Sequence, residues 1–490
     1  MLPDIERLTE ERRTATSDAD KARWGQFFTP PVVAWFMAGL LRPRRGGAVR
    51  ILDPGAGTGI LGAAAAMAML EGGASSVDLV AIEAEPHAAR ALRESLDALA
   101  RRLGPSLRVT VLEDDFLDVG QPRLGRPALP ADFDIAIGNP PYFKMSPTEP
   151  RGSDAPNAYA RFMDVAAGLL RPGGELAFIV PRSFMSGLYF KSFRRRLRAA
   201  MVLERVHVFE SRREAFKDDD VLQENVIVRY RKGGTAPVGV EISSSASPAT
   251  LAEAKVRVLP RALVELPDDP QRLVLLPATP DQERVVRTVR GWSASLRSMG
   301  LRISTGPVVA FRSDAMVVTP NGEPVVPMLW MQHVHPGVVR WPIGEGMRKP
   351  EYILATAGPK LLVSNATYVL LRRFSAKEEA RRLTAAVLHA GALPGDVIGL
   401  ENHLNFIHRP GGAIDTEEAL GLAALLSSTL VDDYFRVANG NTQVNATDIE
   451  GMPFPEAGTI RRLGAAVAEK GEAVLASRER LDELMSALLG

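Results

Sequence analysis

An unusual run of residues follows an apolar segment in the first third of the chain. The sequence IAIGNPPYFK, residues 135–144, places Asn139 after the apolar residues, then two prolines, then Tyr142. Proline has no N–H and interrupts both helices and strand ladders. The run therefore predicts one of two things. It is either a strand that ends in a stiff turn, or a polar site built from an amide, free carbonyl oxygens and a ring for stacking.

A glycine-rich segment, ILDPGAGTGILG, has the composition of a ligand-binding loop. Its glycines satisfy G-x-G-x-x-G, and Glu83 ends the next apolar run, so a dinucleotide site is one alternative. Asp53 precedes the glycines and would repel a pyrophosphate. It suits a cationic amino-acid group, such as the methionine end of S-adenosylmethionine, or it only caps a helix or turn. No Gly-Lys-Ser/Thr follows, which excludes a P-loop.

The elements around these residues alternate between short apolar strands and helices from Arg50 to about Tyr230. Strands are predicted in VRILDP, VDLVAIEAEP, LRVTVLEDDF, FDIAIGNPPY, ELAFIVP and ENVIVRYR, with helices between several of them. This alternation is typical of an α/β fold with a parallel sheet, which binds ligands at the carboxyl ends of its strands. Asn139 and Asp53 are therefore expected at one edge of that sheet.

Bulk composition limits the remaining possibilities. The chain has 490 residues, 46% hydrophobic and 24% charged, which predicts a globular protein of two or three domains. It has no cysteine, so disulfides and thiolate metal sites are excluded. The charged N-terminus is unlike a signal peptide, and the longest apolar tract is too short to span a bilayer. We expect a cytoplasmic protein. The net charge of +1 means that any basic surface is local.

Five motifs in order carry a family resemblance: GQFFTPPVVAWFM, DPGAGTG, AIEAEP, EDDF and GNPPYF. With them the chain resembles the gamma-class, TaqI-like adenine-specific DNA methyltransferases of restriction–modification systems. The resemblance implies a Rossmann-like, S-adenosylmethionine-dependent methyltransferase domain followed by a C-terminal target-recognition domain. It implies the following organisation: a helical arm (1–24), the catalytic domain (25–235), a linker (236–260), the DNA target-recognition domain (261–456) and a C-terminal helix (457–490).

The resemblance also implies a set of residues that bind S-adenosylmethionine. The methionine part would contact Phe28, Thr29 and Pro30, and the loop around it matches Asp53, Gly55 and Gly57. Glu83 matches the acid that binds the ribose hydroxyls. Asp115, preferred over the adjacent Asp114, matches the carboxylate that accepts from the adenine amine, with Phe116 beside the ring. Taken singly, these acids would be interpreted as solvated residues at strand ends.

The NPPY motif is then implied to act on a flipped adenine. The amine lone pair is delocalised into the ring, so the amine needs acceptors rather than a strong base. Asn139 and the Pro140 carbonyl would supply them, with Tyr142 stacking on the base. A second aromatic residue is expected on the other face of the base. Phe216 is preferred and Phe209, which suits a core position, is the alternative. No metal is required.

A basic stretch within the catalytic part is a candidate contact for DNA phosphates. Ten Lys/Arg and three Asp/Glu lie between Arg182 and Lys217, among them Arg194, Arg195, Arg196 and Arg198. The alternative is a solvated helix face. We expect a monomer that binds double-stranded DNA, with a cognate restriction endonuclease that forms no stable complex with it. The alternative functions are a protein-glutamine or RNA methyltransferase, or a DNA-recognition subunit that needs a partner. The target sequence is not readable.

Overall fold

The chain divides into two compact units, Met1–Ala278 and Thr279–Gly490. The protein is described from a computed structural model. The described residues are 29–119, 129–143, 145, 157–209, 225–266, 269–317, 322–375, 379–439 and 443–489. The predicted N-terminal arm, residues 1–24, therefore lies outside the described residues, as do Phe28 and Phe216.

A nine-stranded sheet forms the centre of the first unit, in the order β3-β2-β1-β4-β5-β7-β6-β8-β9. Strands β1 to β5 are mutually parallel, and β7 runs antiparallel between β5 and β6. The strands are β1 (Ala48–Pro54), β2 (Ser76–Glu83), β3 (Leu107–Glu113), β4 (Phe133–Gly138), β5 (Leu170–Pro181), β6 (Met201–Phe209), β7 (Asn225–Lys232), β8 (Gly239–Ser245) and β9 (Lys255–Pro260).

Helices cover both faces of this sheet. Successive strand residues point to opposite faces, so Ile51 and Leu52 enter different hydrophobic cores. The helices of the first unit are α1 (Pro31–Leu40), α2 (Ile60–Glu71), α3 (Pro86–Leu103), α4 (Phe116–Val119), α5 (Ala158–Leu169), α6 (Lys191–Ala200) and α7 (Arg261–Val264). This arrangement confirms the predicted α/β class. The sheet is parallel over β1 to β5, whereas the predicted strand at β7 is antiparallel to both of its neighbours, so the whole sheet is mixed.

The prediction of a linker at 236–260 is wrong for most of that segment. Strand β8 pairs parallel to β6, and β9 pairs antiparallel to β8, so both extend the sheet. Val240 and Ile242 alternate into the core, while the three serines that follow them resemble a loop in composition. The division between the two units accordingly follows Ala278.

A cluster of ion pairs connects the end of α1 to the middle of the sheet. Glu204 on β6 accepts from Arg42 at 2.8 Å, from Arg229 at 2.5 Å and from Arg231 at 2.7 Å. Burial alone would raise the pKa of Glu204, but the three guanidinium groups outweigh it and hold the pKa below its ordinary value. The cluster fixes α1, whose first turn begins at the candidate site described below.

The second unit contains three small sheets and six helices among the described residues. The sheet orders are β10-β20-β17-β18, β11-β15-β12-β19-β16 and β13-β14. Its strands are β10 (Arg302–Thr305), β11 (Met316–Val317), β12 (Val325–Leu329), β13 (Val334–His335), β14 (Val338–Val339), β15 (Tyr352–Leu354), β16 (Leu362–Ser364), β17 (Tyr368–Arg372), β18 (Ala385–Leu388), β19 (Val397–Leu400) and β20 (Leu404–His408). Its helices are α8 (Pro280–Arg290), α9 (Thr416–Ser427), α10 (Thr429–Ala438), α11 (Ala446–Glu450), α12 (Ala457–Lys470) and α13 (Arg478–Leu489).

Two helical segments of the second unit are each interrupted. Ser428 is extended between α9 and α10, and its hydroxyl accepts from the Val431 N–H to begin the next helix. The C-terminal helix predicted at 457–490 ends at Gly471, whose φ is +84°, before α13 begins. Among the described residues, no helix has the length and apolar character that crossing a membrane requires.

Candidate cofactor and target-base site

The residues predicted to do chemistry meet at one edge of the nine-stranded sheet. Asp53 and Glu83 lie at the carboxyl ends of β1 and β2, and Asp115 and Asn139 follow β3 and β4. These four strands are adjacent and parallel, so their ends share an edge. Ligands of open α/β sheets bind at such an edge.

The glycine loop, residues 55–59, connects β1 to α2 and places the first turn of α2 next to Asp53. Gly55, Gly57 and Gly59 have φ of +69°, +55° and +83°, conformations that favour glycine. The Gly62 N–H, in the first turn of α2, donates to Asp53 Oδ2 at 2.8 Å. A Cβ on Gly62 would lie 2.8 Å from that same oxygen. Asp53 therefore does cap a helix, but with only one of its two oxygens.

The second oxygen of Asp53, Oδ1, is buried and has no hydrogen-bond partner among the described residues. Burial raises the pKa of Asp53 to about 7; the Gly62 N–H opposes this shift and the charge of Glu83 adds to it. An uncompensated buried carboxylate is costly unless a cation or donor reaches it. This orphaned oxygen fits the cationic methionine end of S-adenosylmethionine.

Glu83 is held by the backbone on both sides of the loop. Its Oε2 accepts from the Gly57 N–H at 2.8 Å and its Oε1 from the Glu85 N–H at 2.9 Å. Burial raises its pKa, although these two bonds oppose the shift. The carboxylate is thereby fixed next to the glycine loop, in the position predicted for the ribose acid.

Asp115 and Phe116 are placed by α4 and by the core. The Leu117 N–H donates to Asp115 Oδ1 at 2.8 Å, so this carboxylate begins the helix as a cap. The Phe116 ring is 2% exposed and packs on Phe162, with ring centroids 5.0 Å apart. The ring supports the core behind the edge, and a contact of either residue with the cofactor stays a prediction.

The amide of Asn139 is oriented by residues from two predicted motifs. Its Nδ2 donates to Thr29 Oγ1 at 3.2 Å, and Thr29 directly precedes Pro30 and α1. Its Oδ1 accepts from the Tyr142 hydroxyl at 2.7 Å. The FTPP and NPPY motifs, 110 positions apart, therefore meet at this amide.

Tyr142 is more enclosed than its predicted stacking role suggests. Only 8% of the residue is exposed, and its hydroxyl also donates to the Ile179 carbonyl at 3.2 Å. Its ring lies edge-on to Tyr159, with centroids 6.2 Å apart and planes at 85°. Tyr159 in turn shares a hydrogen bond with Ser183 at 3.0 Å. Neither Tyr159 nor Ser183 was predicted as a support for Tyr142, because an aromatic residue within a helix carries no signal that it contacts another ring.

One of the four arginines predicted to contact DNA phosphates cannot do so in this structure. Arg194 is 1% exposed, and its guanidinium donates to the carbonyls of Phe184, Gly187 and Gln271. That prediction is wrong, because hydrophobic spacing turns this position of α6 towards the core. Arg196 pairs with Asp164 and Arg198 lies near Glu265, whereas Arg195 is exposed. Phe209, the alternative candidate for the second aromatic residue, is buried at the end of β6, as expected for a core position.

The fold and the cofactor edge define the class of protein: an S-adenosylmethionine-dependent methyltransferase with a Rossmann-like sheet. The family model described as Eco57I restriction-modification methylase matches residues 112–216. The chain is 35% identical over 483 residues to "Type II methyltransferase M.BsuBI" of Bacillus subtilis, covering 96% of this chain and 95% of that protein. It is 32% identical to "Type II methyltransferase M.PstI" of Providencia stuartii, covering 92% and 90%. The chain belongs to this type II methyltransferase family.

A further relative matches a smaller part of the chain. The "tRNA1(Val) (adenine(37)-N6)-methyltransferase" of Tolumonas auensis is 33% identical over 144 residues, 28% of this chain and 52% of that protein.

Proposed function

We propose that the protein transfers the methyl group of S-adenosylmethionine to the exocyclic amine of an adenine flipped out of double-stranded DNA. The observation that carries this proposal is the Asn139 amide, held between Thr29 and the Tyr142 hydroxyl beside the glycine loop. An amide fixed in this way presents its oxygen in one direction. It acts as an acceptor at the sheet edge where the cofactor residues lie.

The chain's own residues would activate and orient the amine. Asn139 Oδ1 and the Pro140 carbonyl accept its two hydrogens, which draws the nitrogen towards tetrahedral geometry and makes its lone pair available. Pro141 offers no competing N–H at this point. Holding the amine in line with the donor supplies much of the rate. Tyr142, with Phe216 as the second candidate, would hold the base by stacking.

The cofactor would be held by residues on three sides of the glycine loop. S-adenosylmethionine supplies a methyl group activated on a sulfonium. Asp53 would bind its cationic end through the orphaned Oδ1, and Glu83 would accept from the ribose hydroxyls. Gly55 and Gly57 allow the backbone to approach it closely. Phe28, Thr29, Pro30, Asp115 and Phe116 complete the proposed set.

The second unit would recognise the DNA sequence. A methyltransferase that acts at one site needs side chains that read base edges, and the first unit's elements are used by the sheet and its cofactor edge. The two type II relatives match over 96% and 92% of this chain, a range that includes the second unit. We further propose a monomer in the cytoplasm. It would protect the sites cut by a cognate restriction endonuclease that forms no stable complex with it.

The alternatives are less well supported. The tRNA methyltransferase match covers only 28% of this chain, whereas the type II relatives match more than 90%, which disfavours an RNA substrate. A protein-glutamine methyltransferase would likewise leave a unit of about two hundred residues without a role. A recognition subunit that depends on a partner would have no use for an oriented Asn139.

The test is transfer of labelled methyl from S-adenosylmethionine to unmethylated genomic DNA, followed by sequencing of the modified bases. We expect N6-methyladenine at one recurring short sequence. Asn139→Ala should lose transfer while still binding S-adenosylmethionine. Transfer to RNA or protein instead of DNA would overturn the proposal. So would an Asn139→Ala variant as active as the wild type.

A further inference from the structure

An exposed tyrosine stands on a turn beside the candidate site. The turn, residues 182–190, connects β5 to α6. Tyr189 is 84% exposed, whereas the next residue, Phe190, is buried. A single exposed aromatic residue is not unusual in itself, so the rest of the turn decides what Tyr189 can do.

The fold holds this turn rigidly. The buried Arg194 guanidinium donates from Nη1 to the Phe184 carbonyl at 2.9 Å and to the Gly187 carbonyl at 2.7 Å. Gly187 permits the tight path, because a Cβ there would lie 2.7 Å from the Ser183 carbonyl oxygen. The Val274 N–H donates to the Met185 carbonyl at 3.0 Å. The turn therefore presents Tyr189 in a fixed position.

A chain of aromatic rings connects the turn to the NPPY motif. Tyr142 contacts Tyr159 edge-on, and Tyr159 stacks on Phe190 with centroids 5.6 Å apart and planes at 29°. Tyr159 also bonds to Ser183, at the start of the turn. Phe190, the sequence neighbour of Tyr189, is thus the outer ring of an array whose inner ring, Tyr142, bonds to Asn139.

The surroundings of Tyr189 favour a polyanion. Residues 182–200 contain six Lys/Arg and no Asp/Glu. Lys191 and Arg195 are both exposed and are four positions apart on α6, so they share one face of the helix. An exposed ring next to a cationic face is the combination that binds nucleic acid by stacking and phosphate contact.

We propose that Tyr189 stacks on a base that stays in the duplex next to the flipped adenine. The inference rests on the proposed function. Flipping removes the stacking partner of the neighbouring bases, and an aromatic ring can replace it. Lys191 and Arg195 would contact the phosphates on the same side.

The test compares Tyr189→Ala, Tyr189→Phe and Tyr189→Trp on a duplex that carries the sequence methylated by the wild type. The target adenine is replaced by 2-aminopurine, whose fluorescence rises when it leaves the stack. We expect Tyr189→Ala to raise the Kd about tenfold and to reduce the fluorescence gain. Tyr189→Phe and Tyr189→Trp should have the same Kd and the same fluorescence gain as the wild type. A mispaired target costs less to flip, whereas the proposed stack on the neighbouring base is the same in both complexes. Tyr189→Ala should therefore recover most of the fluorescence gain on a mispaired duplex.

Val238→Ala is the matched control, because Val238 is another exposed apolar residue of the first unit, 89% exposed, on a different loop. It should change neither Kd nor fluorescence, and every variant should bind S-adenosylmethionine normally. The inference is overturned if Tyr189→Ala matches the wild type on the paired duplex, or if its fluorescence gain is as low on the mispaired duplex as on the paired one. It is also overturned if Tyr189→Phe is as weak as Tyr189→Ala. A wild type that methylates no DNA would instead refute the proposed function.

Discussion

The Tyr142 hydroxyl donates to Asn139 Oδ1 at 2.7 Å, so the NPPY motif orients its own amide. The same oxygen is the proposed acceptor for the target amine, and a carbonyl oxygen can accept two hydrogen bonds at once. The hydroxyl therefore fixes the direction of Oδ1 without blocking it. In the proposed reaction, Tyr142 would act through Asn139 as well as through its ring.

Tyr142→Phe should separate these two roles. Loss of one neutral hydrogen bond costs about 1 kcal/mol, so we expect a roughly fivefold fall in the single-turnover methylation rate, with stacking retained. Tyr142→Ala should lose a further ~1–3 kcal/mol through stacking. Tyr368→Phe, which removes a hydroxyl bonded to the Ser364 carbonyl in the second unit, is the control and should keep the rate at saturating DNA. An unchanged rate in Tyr142→Phe would show that the hydroxyl has no role in orientation.

Asp53 should make the stability of the cofactor-free protein depend on pH. Its folded pKa, about 7, lies above its ordinary value of 3.8. Between these values the folded state holds a proton that the unfolded state has released, so stability falls as pH rises through this window. Asp53→Asn should remove this slope and stabilise the free protein at pH 8, by at most about 4 kcal/mol. Urea unfolding at several pH values measures it.

The exposed Asp97→Asn on α3 is the matched control for this measurement. It should leave the pH dependence of the unfolding free energy as it is in the wild type. An equal pH dependence of the unfolding free energy in wild type and Asp53→Asn would contradict the burial argument for Asp53. The difference between wild type and Asp53→Asn isolates the Asp53 contribution.

Cofactor affinity should have the opposite pH dependence. A protonated Asp53 cannot compensate a cation, so we expect the affinity for S-adenosylmethionine to rise with pH and to level off above about 7. Asp53→Asn should bind weakly and lose this dependence. Calorimetric titration from pH 5.5 to 8.5 measures both. Equal affinity of the two proteins at pH 8 would remove Asp53 from the cofactor site.

Glu204 should contribute to resistance against acid. Its folded pKa is lowered, so its stabilisation is present above the ordinary glutamate pKa and is lost as pH falls below it. Glu204→Gln leaves three arginines with a weaker partner and should destabilise the first unit by roughly 3 kcal/mol at pH 7. Glu241→Gln breaks the more exposed pair with Arg205 and should cost less than about 1 kcal/mol. Similar losses in both variants would contradict this ranking.

The sequence alone predicted the parts of the fold that follow from the order of strands and helices along the chain. Strands that alternate with helices predicted the parallel sheet, and its carboxyl edge brought Asp53, Glu83 and Asn139 together. Long-range partners were not predictable in this way. Ser243 and Ser245 looked like linker residues, but their hydroxyls lie 2.9 and 3.0 Å from the two ring nitrogens of His207 on β6.

The basic residues at 194–198 also show that long-range contacts were not predictable from the local sequence. Each arginine contributes equally to a count of charge, yet Arg194 is bonded to carbonyls in the interior and Arg195 is exposed. The difference depends on which face of α6 packs against residue 271, which is 77 positions away from Arg194. A charge count identifies a basic segment, and only the tertiary contacts show which of its side chains can reach a phosphate.

A substitution at the glycine contact between α9 and α12 should distinguish the role of the second unit from that of the first. A Cβ on Gly464 would lie 1.7 Å from the Glu417 carbonyl oxygen, and one on Gly421 would lie 1.9 Å from that of Ile460. Gly464→Ala must push these helices apart, so we expect the second unit to unfold at lower denaturant concentration. If the second unit recognises DNA, methylation of the target sequence should fall steeply while S-adenosylmethionine binding is retained. Gly458→Ala on the same helix meets nothing within 4 Å and should be neutral or slightly stabilising. Retained sequence-specific methylation by a Gly464→Ala protein with an unfolded second unit would show that recognition lies elsewhere in the chain.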